Sequence, residues 1–266
     1  MGEVTDVRRE GPVARVVMHR LGNNAIAQDL TDELAGAFDE LGADDEVRVV
    51  VLQSAHDRYF SVGADLTAMA GIDRTADDAA EQVAGFIRRS RRGFDAIARC
   101  PKPTVAAING HALGGGCELA LCCDYRVMVE DGRSRIGQTE AGLGIMPGAG
   151  GTQRLLRLLG RARALPLLLE ARRLSATEAE SIGLIGRAAT PGEFDAAVEE
   201  LVGRLAKAPT LALAMIKDAV ERGQDVPLEE GLEIETRNFA RTALSQDAAI
   251  GIMSFLSKQE PEFTGR

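Results

Sequence analysis

Val4–Arg9 and the β-branched, largely apolar Val13–His19 read as two strands joined by a turn at Glu10-Gly11-Pro12, which predicts an opening β-hairpin. Leu30, Leu34, Phe38 and Leu41 recur at helical spacing and predict an amphipathic helix over 28–42. The β-branched run Val47–Ser54 has the length of a buried strand. Asp78–Ala98 predicts a helix, which Pro101 and Pro103 bring to a stop, and Thr104–Asn109 predicts the next strand. A further helix begins near Gly114, followed by a strand over Asp124–Val129 and a turn at Asp131-Gly132. Such alternation favours an α/β core. After Gly150 the pattern changes. The stretch GTQRLLRLLGRARALPLLLEARRL reads as helix, and Ser175 with Glu178 makes a capping box. Helical spacing then covers 192–207, 210–222, 228–241 and 245–258. The organisation read from this is a core over 1–190 and a helical region over 191–266, divided at Thr190-Pro191-Gly192.

The formal net charge of −9 speaks against a nucleic-acid binder, which needs a basic face to neutralise phosphates. With no Trp and only two Tyr, the core must be aliphatic and stacking platforms for bases are not expected. Cys100, Cys117, Cys122 and Cys123 form no CxxC pair, so free thiols in a reducing cytoplasm are expected. The first residues, MGEVTDVRRE, carry early charges and no apolar signal region, and no run approaches the roughly 18 apolar residues of a membrane span.

The candidate chemistry sits in NGHALGGGCELALCCDY, Asn109–Tyr125. Gly114-Gly115-Gly116 follows a strand and opens a helix. Read blandly, this is a tight strand-to-helix turn. Read functionally, the glycines let backbone N–H groups at a helix start approach an anionic oxygen. There is no Lys-Ser/Thr pair for a P-loop and no GxGxxG turn. Glu118 lies one turn into a helix that is otherwise apolar all round. A buried glutamate has either a backbone-satisfied structural role or acid–base work to do. Glu140 follows in IGQTEAGLGIMPGAGGTQRL, where a Gly-rich loop can return it toward the same helix start. Two carboxylates around one substrate atom can divide acid and base duties.

AAINGHALGGGCELALCCDYRV followed by IGQTEAGLGIMPGAGGTQRL, with RYFSVGADLTAM (Arg58–Met69) before them, resembles the crotonase superfamily, and within it the enoyl-CoA hydratases. The resemblance runs from about residue 4 to the C-terminus. It implies an α/β spiral of ββα turns with a helical C-terminal region used for trimerisation, and hexamers as dimers of trimers. It implies an acyl-CoA substrate and no separate cofactor or metal. The amides of Ala64 and Gly115 would grip the thioester oxygen. Glu118 would help activate a water for attack at C3, Glu140 would supply a proton to C2, and the Gly148 amide would help place the water. Coenzyme A would meet Arg58, Asp65 and Leu66 and, from a neighbouring subunit, Phe255 and Lys258, with Lys102 a weaker candidate. Leu66–Phe86 would set the acyl chain length.

Two departures from the family pattern stand out. HRLGNNAIAQDL lacks the proline usual in that loop, so Arg20 and Asn23 receive no role toward CoA. The segment between the glutamates is about two residues longer than is usual in the family, with EDGRSR read as a hairpin insertion. A 3,2-enoyl-CoA isomerase of the family commonly keeps only the Glu140-like carboxylate. A non-catalytic acyl-CoA binder would lose one or both. A serine hydrolase lacks its GxSxG here.

Overall fold

The hairpin at the start of the chain is β1 (Thr5–Glu10) against β2 (Val13–Met18), antiparallel, and β2 then pairs in parallel with β3 (Val49–Ser54). In the computed structural model, which describes residues 2–266 apart from 68–70, 72 and 74, nine strands form two sheets. The larger runs β1-β2-β3-β5-β7-β9, where β5 is Thr104–Ile108, β7 Tyr125–Val129 and β9 Arg187–Ala189. The smaller runs β4-β6-β8, where β4 is Tyr59–Ser61, β6 His111–Leu113 and β8 Ile136–Gly137. Its three strands are parallel. Each turn of the chain gives one strand to each sheet before its helix: β3-β4-α2, with α2 at Ala79–Arg99, and β5-β6-α3, with α3 at Gly115–Cys122. This is the ββα spiral the resemblance implies.

The central strands are covered on both faces, so they read as near-continuous apolar runs. Because successive side chains point to opposite faces, Val50, Leu52, Ala106, Ile108 and Met128 enter one cluster with Leu30, Leu34, Phe38 and Leu41 of α1 (Gln28–Ala43). Val49, Val51, Val105, Val127 and Val129 enter a second cluster under α7 (Phe194–Lys207), which contributes Phe194, Val198 and Val202.

Several sequence expectations shift. The strand expected from Val47 begins at Val49, because Val47 N–H closes a turn onto the Asp44 carbonyl. The single helical stretch expected after Gly150 divides at Gly160 into α4 (Gly151–Leu159) and α5 (Arg161–Leu169). The capping box holds: the Ser175 side chain accepts from Glu178 N–H, and the Glu178 carboxylate accepts from Ser175 N–H, at the start of α6 (Ala176–Ser181). Residues 130–135 are not a hairpin. β7 and β8 lie in different sheets, and the exposed loop between them is held by Asp131, whose carboxylate accepts from the Arg133 and Ser134 amides. The hydrophobic pattern by itself predicts neither the strands of the small sheet nor β9. The C-terminal helices are α8 (Thr210–Gly223), α9 (Leu228–Ala243) and α10 (Gln246–Ser257). Among the described residues no helix is long and apolar enough to cross a membrane.

Candidate functional site

The three-stranded sheet brings together what the sequence separates. β6 and β8 pair with Leu113 opposite Gly137, and Gly114 N–H donates to the Gly137 carbonyl at 2.8 Å. The start of α3 is thereby tied to the segment that carries Glu140. Gly114 has φ of +54°, a backbone shape that L side chains rarely adopt, and it turns the chain from strand into helix. A Cβ at Gly116 would stand 2.2 Å from the Ser61 carbonyl oxygen, so α3 can lie this close to β4 only with glycine there. On the other side, Ile26 N–H donates to the Gly63 carbonyl and Asp65 N–H donates to the Ile26 carbonyl, both at 2.8 Å, which clamps the chain on either side of Ala64. The Ala64 nitrogen lies 3.6 Å from where a Gly115 Cβ would be. Among the described residues neither the Ala64 nor the Gly115 amide donates to a protein acceptor. Both predicted amides are adjacent and unengaged.

Glu118 and Glu140 line the same cavity of about 540 Å³ as Ala64, Gly115 and Gly148. The rest of its wall is largely apolar, including Phe86, Ile87 and Phe94 of α2. Glu118 is 3% exposed and Glu140 9%. Oε1 of Glu118 accepts from the Ala149 amide at 2.8 Å and the Gly151 amide at 2.7 Å, at the N-terminus of α4. Those unpaired N–H groups and the helix dipole favour a carboxylate. Both readings of Glu118 thus have a physical basis: one oxygen is satisfied by backbone amides, while Oε2 accepts nothing among the described residues. Burial pushes the Glu118 carboxyl above the ordinary range, and the Gly151 and Ala149 amides and the Arg154 charge pull the other way.

Glu140 opens a short 3-10 helix, Glu140–Leu143. Burial, with a contribution from the Glu118 charge, raises its carboxyl to about 7, against hydrogen bonds from the backbone of Glu140 and Thr139. With its amide nitrogen turned toward Glu140, Gln138 donates to both carboxylate oxygens at 3.2 Å. Gln138 is itself buried. Sequence reasoning missed this partner; the available signal was a polar residue two positions before the glutamate, beside a strand end.

The remaining predicted residues are placed as follows. Arg58 is exposed at the start of β4, its guanidinium 5.6 Å from the centroid of the Tyr59 ring. The Asp65 carboxylate is engaged within the chain, by Thr67 and by Arg20. Leu66 is exposed beside the cavity-lining Ala64. Phe255, on α10, is 83% exposed, and the exposed Lys258 caps that helix in the left-handed region at φ +56°. Neither lines the cavity. Lys102 is buried, and the weaker CoA role considered for it does not fit that position. The stretch expected to set chain length, Leu66–Phe86, lies partly outside the described residues; within it Val83 and Phe86 line the cavity.

The chain matches the enoyl-CoA hydratase/isomerase family over residues 8–266. It is 36% identical over 264 residues to a probable enoyl-CoA hydratase of Rhizobium meliloti (strain 1021), covering 98% of this chain and 97% of that protein. It is 35% identical to a crotonyl-CoA hydratase of Syntrophomonas wolfei, covering 91% of this chain and 90% of that protein. The crystal structure of an enoyl-CoA hydratase from Bacillus anthracis superimposes with a TM-score of 0.90 at 32% identity, covering 99% of this chain and all of that one. With its motifs, ββα spiral and full-length similarity in agreement, the chain belongs to the enoyl-CoA hydratase/isomerase family.

Proposed function

We propose that this protein adds water across the 2,3 double bond of a 2-enoyl-CoA to give a 3-hydroxyacyl-CoA. The observation that carries the reading is the meeting of two buried carboxyls with two unengaged amides in one largely apolar cavity. The Ala64 and Gly115 amides receive the thioester oxygen, which gains negative charge as water attacks. Donors fixed in advance stabilise that charge more than the ground-state carbonyl. Glu118, held by the α4 N-terminus, takes a proton from water as its oxygen bonds to C3. Glu140 delivers a proton to C2. Passage of the proton from Glu118 back to Glu140 resets the pair. A carboxyl raised to about 7 is half protonated near neutrality, which suits a proton donor. Gly148 lines the cavity, and on this reading its amide helps hold the water.

On this reading CoA arrives with the substrate and no resident cofactor is needed. Arg58, Asp65 and Leu66 would meet CoA on this reading. Phe255 and Lys258 would serve a neighbouring subunit. Exposed Ile216, Val220, Phe239, Leu244 and Ile252 on or just after α8–α10 present more apolar surface than a lone chain covers, which supports a trimer or a dimer of trimers. A cytoplasmic role in acyl-CoA metabolism, including fatty-acid breakdown, fits the same reading. Retention of both glutamates favours hydratase over isomerase chemistry.

The test is the ultraviolet absorbance of crotonyl-CoA, which hydration abolishes by breaking conjugation with the thioester. Wild type should remove it rapidly, and Glu118→Gln should do so about a thousandfold more slowly or less. No loss with wild type, despite tight acyl-CoA binding, rejects short-chain hydration.

A further inference from the structure

Arg20 lies in the loop where this chain departs from its family's usual pattern, and its guanidinium makes four hydrogen bonds to three residues. Nε donates to Asp29 Oδ1 at 3.1 Å and Oδ2 at 2.9 Å, Nη1 to the Ala25 carbonyl at 3.2 Å, and Nη2 to Asp65 Oδ2 at 3.1 Å. The Arg20 carbonyl accepts from Asn24 N–H at 3.3 Å and contacts His56 Nε2 at 2.8 Å. The guanidinium's partners belong to three segments: the turn before Ile26, the first turn of α1, and the residue after Ala64. Ile26 is the residue whose N–H and C=O clamp Gly63 and Asp65. One cation thus ties down both sides of the clamp that aims the Ala64 amide. The rigid fork of an arginine can join three acceptors in a way that the point charge of a lysine cannot.

We propose that Arg20 is a positioning residue for the Ala64 amide, acting through Asp65 and the Ile26 clamp and not through coenzyme A. The inference rests on the hydratase reading of the cavity. The Arg20 side chain is 22% exposed, and three of its five guanidinium N–H donors are already held by protein oxygens, which commits the fork to the protein more than to a phosphate. Asp65 is held from the other side by Thr67, whose N–H donates at 3.1 Å and hydroxyl at 2.6 Å to Oδ1. Removing Arg20 leaves Asp29 and Asp65 without their shared cation and frees the turn at Ala25. The Ala64 amide survives but loses its fixed aim, and an oxyanion donor is effective only when held in place before the charge develops.

The experiment compares wild type, Arg20→Ala, Arg20→Lys and Asp65→Asn in three measurements. The first is kcat and KM on crotonyl-CoA. The second is the enolate absorbance of bound acetoacetyl-CoA, a thioester whose enolate the same amides would stabilise. The third is thermal melting. Arg20→Ala should lower kcat about tenfold and reduce the bound enolate, with KM changed less than about threefold, and Arg20→Lys should fall between it and wild type. Asp65→Asn keeps the Thr67 turn while losing the charge that faces Arg20, and should lower kcat and enolate in the same direction with little change in melting. If Arg20→Ala does not fold, Asp65→Asn alone decides. An unchanged enolate signal overturns the proposal, as does a rise in KM at constant kcat, which would make Arg20 a coenzyme A contact. A wild type that binds and ionises acetoacetyl-CoA yet hydrates no enoyl-CoA rejects the hydratase reading, while the enolate comparison still tests Arg20.

Discussion

Replacing Glu140 with glutamine should make the stability of this protein less dependent on pH, in one direction only. The wild-type carboxyl is raised from 4.5 to about 7, first by burial. An acid with a raised folded-state pKa contributes stability that is fully present below 4.5 and is lost as the pH climbs through about 7, because the unfolded chain then releases its proton more readily than the folded one. At about 1.4 kcal/mol per unit, that shift corresponds to about 3 kcal/mol, and partial solvent access at the cavity mouth reduces it to about 2 kcal/mol. Glutamine keeps the shape and never ionises. The stability of Glu140→Gln relative to wild type should therefore rise by about 2 kcal/mol between pH 4 and pH 8. The assay is urea unfolding of both proteins at several pH values, at one fixed protein concentration, because an oligomer's stability depends on concentration. A difference that stays flat over this range, or falls, refutes the claim that burial holds the Glu140 proton.

Two adjacent glycines should fail differently. A Cβ at Gly115 would meet the Ile26 Cδ1 atom at 2.8 Å, a flexible neighbour, and would stand in van der Waals contact with the Ala64 nitrogen at 3.6 Å, in the space the thioester oxygen would take, so Gly115→Ala should fold but lose at least tenfold in kcat on crotonyl-CoA. At Gly116 the obstacle is the Ser61 backbone oxygen, so Gly116→Ala should lose about 3 kcal/mol of stability or fail to fold, as read by urea unfolding. Gln138→Met removes the donors to the Glu140 carboxylate and should move the alkaline limb of the kcat–pH profile upward while lowering kcat about tenfold at neutral pH. Phe255→Ala should raise KM several-fold for crotonyl-CoA and leave a truncated crotonyl thioester lacking the nucleotide unaffected, as measured by steady-state kinetics.

The local pattern is strong where one physical cause dominates. Leu30, Leu34, Phe38 and Leu41 share one face of a helix by spacing alone, and the valine run of β3 and the small apolar residues of β5 are buried because both faces of those strands are covered. Glu118 announced itself as a carboxylate on an apolar helix, and the glycines before it as a place where backbone approaches something closely. The three strands of the small sheet, two or three residues each, are too short to carry a period. Only their pairing, through Gly114 N–H on the Gly137 carbonyl, sets Glu140 beside the start of α3. The amides of Ala149 and Gly151 on Glu118, the side chain of Gln138 on Glu140, and the fork of Arg20 across Ala25, Asp29 and Asp65 are long-range or loop contacts of ordinary polar groups. A sequence determines which groups exist and which elements they ride on. Their distances, and with them the proton affinities of the two glutamates, depend on burial and neighbours that exist only once the chain has closed around the cavity.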